Sequence, residues 1–118
     1  MIMYRSLSAA AAIIDAGHEL DSAALARATM PADLPATIVC DLRQTRSIDL
    51  DGFAWLVEMS DQRRRAGARL VMLGPPASLS GPLRVDELEQ LFEWAPDLFM
   101  ALNHSGLDLN DTNLRLGR

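Results

Sequence analysis

Two short runs of apolar, mostly branched residues, 36–42 (ATIVCDL) and 68–74 (ARLVMLG), constrain the fold most strongly. Such runs are typical of strands that are buried on both faces of a sheet. Between them, residues 52–66 have the apolar spacing of a helix, and Gly67 is expected to end that helix. Strands that alternate with helices in this way predict an α/β domain in which helices cover a mixed sheet.

Weaker patterns complete this architecture. The N-terminal apolar runs predict two short strands joined near Ser8, and Asp21 or Ser22 can cap the helix that follows. The sequence predicts a four- to five-stranded sheet covered by about three helices, in one domain over residues 1–102 with a polar tail over 103–118. The predicted order is strand 1–7, strand 9–16, helix 21–30, strand 36–42, helix 52–66, strand 68–74, a loop and helix within 75–92, and a last strand at 97–102.

Charge and composition exclude several classes of function. The net charge of −5 argues against nucleic-acid binding, which requires a surface rich in basic residues. All 11 basic residues are arginine, so chemistry that depends on a lysine, such as a P-loop or a Schiff base, is excluded. No apolar run approaches the length of a membrane span and the N-terminus does not resemble a leader, so we expect a cytoplasmic protein without direct membrane insertion.

Few residues have the chemistry of a catalytic or metal site. Cys40 lies within an apolar run and is expected to be a buried, reduced thiol rather than a nucleophile. His18 and His104 have no cysteine or carboxylate at metal-ligand spacing. Hydrolase, zinc-protease and phosphate-loop motifs are also missing, so we predict a protein without catalytic activity, metal or cofactor.

The segment SIDLDGFAWL, residues 47–56, has two carboxylates where the chain enters a helix. At the start of a helix, Asp51 can cap unpaired N–H groups for about 1 kcal/mol and complement the helix dipole. Asp49 lies just outside the expected first turn, so helix capping explains its carboxylate less well. A third hypothesis groups Asp41 with these two residues as a site for Mg²⁺ or for phosphoryl transfer, although the lysine of receiver domains is missing.

Residues 37–79 resemble the STAS domain, the family of anti-sigma factor antagonists and of the cytoplasmic domain of sulfate transporters. The resemblance extends over roughly residues 10–100. It rests on the strand end Asp41–Leu42, the outer turn positions Asp49 and Gly52, the second strand 67–76 and the upstream segment 17–25.

The resemblance implies a domain that binds a protein partner, a serine-kinase-type anti-sigma factor. In regulated members the second middle position of the turn has the hydroxyl that the kinase phosphorylates. Here the two middle positions are Leu50 and Asp51, so phosphorylation at the family's site is chemically impossible. Asp51 is therefore either a fixed, partial imitation of phosphoserine or only a helix cap.

The helix after the turn has one large aromatic residue off its predicted buried face. Phe53, Leu56, Val57 and Ser60 share helical spacing and are expected to pack on the sheet, with Trp55 pointing away. Trp55 is then either partly buried against a neighbour or an anchor for a partner. The predicted partner surface consists of Asp21, Ser22, Arg46, Ser47, Asp49, Leu50, Asp51, Phe53 and Trp55.

Three functions remain open from the sequence. The first is antagonism of an anti-sigma factor, with the phosphorylation switch lost or fixed by Asp51. The second is an accessory STAS subunit of a membrane lipid ABC transporter. The third is a sensor of a small ligand, and self-association into a homodimer is compatible with each of them.

Overall fold

A computed structural model describes residues 2–80 and 83–103. The elements in chain order are β1 Met3–Ser6, β2 Ala11–Asp15, β3 Glu19–Leu20, α1 Ser22–Arg27, β4 Thr37–Asp41, β5 Ser47–Ile48, α2 Leu50–Arg65, β6 Arg69–Leu73, α3 Val85–Leu91, β7 Trp94–Ala95 and α4 Leu98–Asn103.

The main sheet has five strands in the order β1-β2-β4-β6-β7. β1 and β2 are antiparallel, whereas the other neighbours are parallel. In the centre, Val39 of β4 pairs with Ile13 of β2 and with Val71 of β6. The two apolar runs therefore form the inner strands, as predicted, and the mixed α/β class is confirmed.

Side chains that alternate along the inner strands divide the interior into two apolar layers. On one face, Ile38 and Cys40 belong to the main core with Leu56 of α2 and Leu88 of α3. On the opposite face, residues that include Val39 pack with α4. α1, α2 and α3 therefore contribute to the main core, and α4 covers the other side of the sheet.

The last predicted strand, residues 97–102, is wrong, because most of this segment forms α4. The Asp97 carboxylate accepts a hydrogen bond from the Met100 N–H at 2.8 Å, as a helix-capping residue does. Ala101 is buried, and Leu98 and Leu102 pack on the same apolar layer. Residues spaced three and four apart thus face the sheet, which suits a helix and not a strand.

The start of α2 differs from the prediction, whereas its C-terminal end agrees with it. The helix begins at Leu50 instead of 52, but it ends as expected, with Gly67 in a left-handed conformation at φ 72°. The N–H groups of Gly67 and Ala68 bind the carbonyls of Arg64 and Arg63 at 3.1 and 2.8 Å. This pattern is a Schellman motif, which satisfies carbonyls at the helix end.

Most of the predicted polar tail 103–118 lies outside the described residues, as does His104. Within 2–80 and 83–103, no helix combines the length and the apolar character that a bilayer crossing would require.

Candidate functional site

A second, two-stranded parallel sheet places the starts of α1 and α2 side by side. Leu20 of β3 pairs with Ile48 of β5. Each strand leads within a residue or two into a helix, β3 into α1 and β5 into α2, and the two helices contact each other. The sequence did not predict this sheet, because strands of two residues have too little pattern to recognise.

Asp49 links the two helix starts through one carboxylate. Its Oδ1 accepts a hydrogen bond from the Gly52 N–H at 2.8 Å, which makes Asp49 the N-cap of α2. Its Oδ2 accepts from the Ser22 N–H, in the first residue of α1, at 3.3 Å. Asp21 caps α1 itself by accepting from Ala24 N–H at 2.9 Å. One side chain therefore satisfies donors of both helices.

The capping role predicted for Asp51 is wrong, because Asp49 fills it. Asp51 is the second residue of α2 and is exposed. Its carboxylate accepts no hydrogen bond from the residues that the structure describes. Its charge still complements the positive end of the helix dipole, which accounts for about 0.3–1 kcal/mol. Beside it, Leu50 is 70% exposed, so a charge and an apolar side chain stand together at the helix start.

Gly52 is where α2 touches the strand that precedes α1. A Cβ atom on this buried glycine would lie 2.2 Å from the carbonyl oxygen of Leu20. The same oxygen accepts a hydrogen bond from the Asp49 N–H at 3.2 Å. Gly52 therefore sets the distance between α2 and β3, a structural role that the sequence alone did not assign to it.

Arg46 lies in a hydrogen-bonded loop beside the helix starts, and Ser47 is the first residue of β5. Their N–H groups donate to the His18 carbonyl at 2.7 and 3.3 Å, and Arg46 Nη2 lies 3.3 Å from His18 Nδ1. The Thr45 hydroxyl donates to the Gly17 carbonyl at 2.7 Å. An open cleft of about 400 Å³ adjoins this loop, lined by His18, Glu19, Asp21, Ala23, Ala24, Arg27 and Arg46.

The buried face of α2 is rotated from the predicted one. Gly52, Leu56 and Met59 are its buried residues, whereas Phe53 is only half-buried. Trp55 follows Gly52 by three residues, and at roughly 100° per residue it lies about 60° from Gly52 around the helix. Trp55 consequently packs against the main core, so its partial burial is confirmed and its predicted outward direction is wrong.

Asp41 does not join the other two carboxylates in a metal site. Partial burial alone would raise the pKa of Asp41, but hydrogen bonds from the Arg43 side chain and N–H hold it below its usual value. Arg43 Nε and Nη2 donate to the two carboxylate oxygens at 3.0 and 2.9 Å. Among the described parts of the chain, no three acidic, histidine or cysteine side chains are grouped to hold a metal ion.

Cys40 is a free, fully buried thiol, as predicted. Burial, with smaller contributions from the charges of Asp41 and Asp15, raises its pKa to about 12. A thiol that stays protonated is a poor nucleophile. This geometry gives the thiol no catalytic activation.

The capping geometry predicts different effects for the two neighbouring carboxylates. Asp49→Ala removes two hydrogen bonds and should lower the free energy of unfolding by about 2 kcal/mol. Asp51→Ala removes only a charge near the helix dipole and should cost below about 1 kcal/mol. Urea denaturation of both variants measures the difference. Equal losses would contradict the assignment of the cap to Asp49.

The site thus brings together Asp21, Ser22, Asp49, Leu50 and Asp51 around the two helix starts. Arg46 lies in the neighbouring loop and Ser47 begins β5. Phe53 and Trp55 lie on opposite flanks of the buried face of α2. Gly52 and the His18 carbonyl, which the sequence did not place in the site, hold these pieces in position. The sequence signal for Gly52 was its match to an outer position of the STAS family's turn, which did not indicate the close approach to Leu20.

Comparisons with known proteins agree with this architecture. No family model matches the sequence, and no curated protein matches it. Among solved structures, the chain is similar to the anti-sigma factor antagonist SpoIIAA in its unphosphorylated form, at 14% sequence identity and a TM-score of 0.61. The similarity covers 83% of this chain and 89% of SpoIIAA. The STAS fold that the sequence resemblance implied is therefore confirmed.

Proposed function

We propose that this chain is a non-catalytic protein-interaction module of the anti-sigma factor antagonist type. Its partner would be a serine-kinase-type anti-sigma factor, which would make the protein a cytoplasmic regulator of transcription. SpoIIAA is described as an anti-sigma factor antagonist, and this chain shares its fold. The shared fold supports the proposal of a protein-interaction module of that type. The surface proposed for the partner is the one formed by the adjoining starts of α1 and α2.

The observation that carries the proposal is the position of Asp51. Asp49 already caps α2, so the hydrogen bonds of the helix start do not require the carboxylate of Asp51. Its side chain is exposed and can meet a partner directly. Phosphoserine carries a charge of about −1.5 to −2, and aspartate supplies part of that charge permanently.

The fixed charge would place the protein permanently near the phosphorylated condition of its regulated relatives. A negative charge where the kinase docks should weaken the complex through like-charge repulsion and desolvation. The protein would then act as a constitutively released antagonist or as a scaffold without the switch.

Binding of the host's serine-kinase-type anti-sigma factors to the wild type and to Asp51→Ser tests this proposal. We expect Asp51→Ser to bind at least one of them about tenfold more tightly, a difference of about 1.4 kcal/mol. With ATP present, the new serine should also accept phosphate, while the wild type should not. Asp33→Asn, which neutralises an exposed carboxylate outside the proposed surface, is the matched control and should leave binding unchanged.

Equal affinity of the wild type and Asp51→Ser for every such kinase would contradict the role of Asp51. Co-purification of the wild type with a transporter ATPase, and with none of the kinases, would contradict the choice of partner. It would favour the accessory-subunit function instead.

A further inference from the structure

A cavity lies beside α4, above the β1–β2 edge of the main sheet. α4 has only six residues, and it contacts β4, β6 and β7. On the same face, between the start of α4 and the strands β1 and β2, the cavity has a volume of about 330 Å³. Pockets for small molecules have volumes of about 300–1,000 Å³, so this cavity could hold only a small ligand.

The floor of the cavity is apolar. Ile13 of β2 and Leu98 of α4 belong to the apolar layer on this side of the sheet, and both line the cavity. Met3 of β1 lines it as well and is 56% exposed. A small aliphatic group that lies on these three side chains would remove apolar surface from water, which favours binding.

The antiparallel pairing of β1 and β2 places two opposite charges diagonally across this floor. Met3 pairs with Asp15 and Arg5 pairs with Ile13, so the four side chains share one face of the sheet. Arg5 and Asp15 are exposed and line the cavity. Neither forms an ion pair with a residue that the structure describes. Diagonal neighbours in a sheet are about 7–8 Å apart, which leaves room for a dipolar ligand between the two charged groups.

The two ends of the cavity differ in charge. At the Asp15 end, Arg43 donates hydrogen bonds to both carboxylate oxygens of Asp41. These bonds, together with the nearby charges of Asp15 and Asp97, raise the pKa of Arg43. Three carboxylates and one guanidinium leave an excess of negative charge there, whereas the other end has Arg5. A ligand with one cationic and one anionic group would therefore be attracted in a single orientation.

We propose that this cavity binds a small zwitterion with an apolar side chain, of which an aliphatic α-amino acid is the simplest example. Its carboxylate would pair with Arg5, its ammonium group would pair with Asp15, and its side chain would lie on Met3, Ile13 and Leu98. A simple anion would leave the acidic end unpaired, and a simple cation would leave Arg5 unpaired. The inference is independent of the proposed function, because α1 and α2 pack on the opposite face of the sheet.

Chemical-shift titrations of the full, ¹⁵N-labelled chain test the site, with leucine and methionine as probes. Glycine is a zwitterion without an apolar side chain. The other controls, 4-methylpentanoate and 3-methylbutylamine, correspond to leucine without its ammonium group and without its carboxylate. We expect the probes to cause saturable shifts at the amides of Arg5, Ile13 and Asp15, and each control to bind at least about tenfold more weakly.

Two substitutions test the two charged groups separately. In Arg5→Gln, leucine should bind no better than 3-methylbutylamine, and in Asp15→Asn no better than 4-methylpentanoate. Asparagine at position 15 can still accept the hydrogen bond that Asp15 accepts from the Gly17 N–H at 2.9 Å, so the turn after β2 should be kept. Arg65→Gln, at an exposed arginine at the end of α2, is the matched control and should bind leucine as the wild type does.

No saturable shift with either probe would overturn the inference, as would equal affinity for leucine and for its two singly charged analogues. Leucine binding that Arg5→Gln and Asp15→Asn leave unchanged would also overturn it, because the ligand would then lie elsewhere. None of these results depends on Asp51→Ser or on a kinase, so failure here is distinguishable from failure of the proposed function.

Discussion

Gly52→Ala is expected to lower the free energy of unfolding by about 3 kcal/mol, at the upper end of what overpacking costs. The added Cβ would lie 2.2 Å from the Leu20 carbonyl oxygen and 3.0 Å from the Leu20 carbonyl carbon. These are backbone atoms that cannot rotate away, so α2 must shift relative to β3. For a domain of this size, the melting temperature should fall by roughly 10 °C.

The same movement should loosen the arrangement of the two helix starts. Asp49 N–H donates to the Leu20 carbonyl, and the Asp49 carboxylate accepts from Ser22 N–H. A displaced α2 strains both hydrogen bonds. We therefore expect the amide resonances of Ser22 and Asp49 to shift more in Gly52→Ala than those of the distant Gly67.

Gly67→Ala is the matched control for this substitution. No atom lies within 4 Å of the position its Cβ would take, but its φ of 72° is left-handed. Only backbone strain of about 1–2 kcal/mol is expected there. If Gly52→Ala lowers the melting temperature no more than Gly67→Ala does, then Gly52 is not needed for the close approach of α2 to Leu20.

Leu56→Ala is the second substitution with a large expected effect, a loss of about 3 kcal/mol in the free energy of unfolding. Leu56 is completely buried and belongs to the main core, at the centre of the face that α2 turns to the sheet. Removing most of its side chain loses burial energy and leaves a cavity that the surrounding strands can fill only in part. Urea denaturation should show a lower midpoint with an unchanged slope.

Val57→Ala, one residue further along the same helix, serves as the comparison. Val57 is half-buried and lies outside the buried set of α2. We expect a loss below about 1 kcal/mol, since less apolar area leaves the interior. Similar losses for both variants would support the helix face predicted from the sequence, with Phe53 and Val57 inward, over the one that the structure has.

Local pattern was sufficient for much of the architecture. The apolar runs at 36–42 and 68–74 became β4 and β6, because a strand buried on both faces requires such a run. The end of α2 just before Gly67 was also predictable, since a left-handed residue after a helix strongly favours glycine. The turn with Asp49 and Gly52 was recognised by its resemblance to the STAS family.

The sequence predicted which residues form the candidate site, but not the contacts that hold them in position. Asp49 was named, yet its hydrogen bond with Ser22 could not be foreseen, because Ser22 lies 27 residues away in the chain. Its bond with Gly52 is local, but it was missed because the helix was expected to begin two residues later than it does. The rotation of α2 that buries Trp55 against the core was missed for a related reason. The apolar residues of α2 occur on more than half of its circumference, so spacing alone did not define its buried side.

The sequence by itself predicted the order of β1, β2, α1, β4, α2, β6 and α3, and it contains no lysine. The resemblance to the STAS family implied in addition that Asp51 stands where regulated members have a hydroxyl. These properties depend on residue type and on short-range periodicity, which the chain carries before it folds. Only the tertiary structure decided that 98–103 is a helix and that the Asp49 carboxylate joins the starts of α1 and α2. Each of these depends on which distant segments pack together, and packing is decided by the whole core.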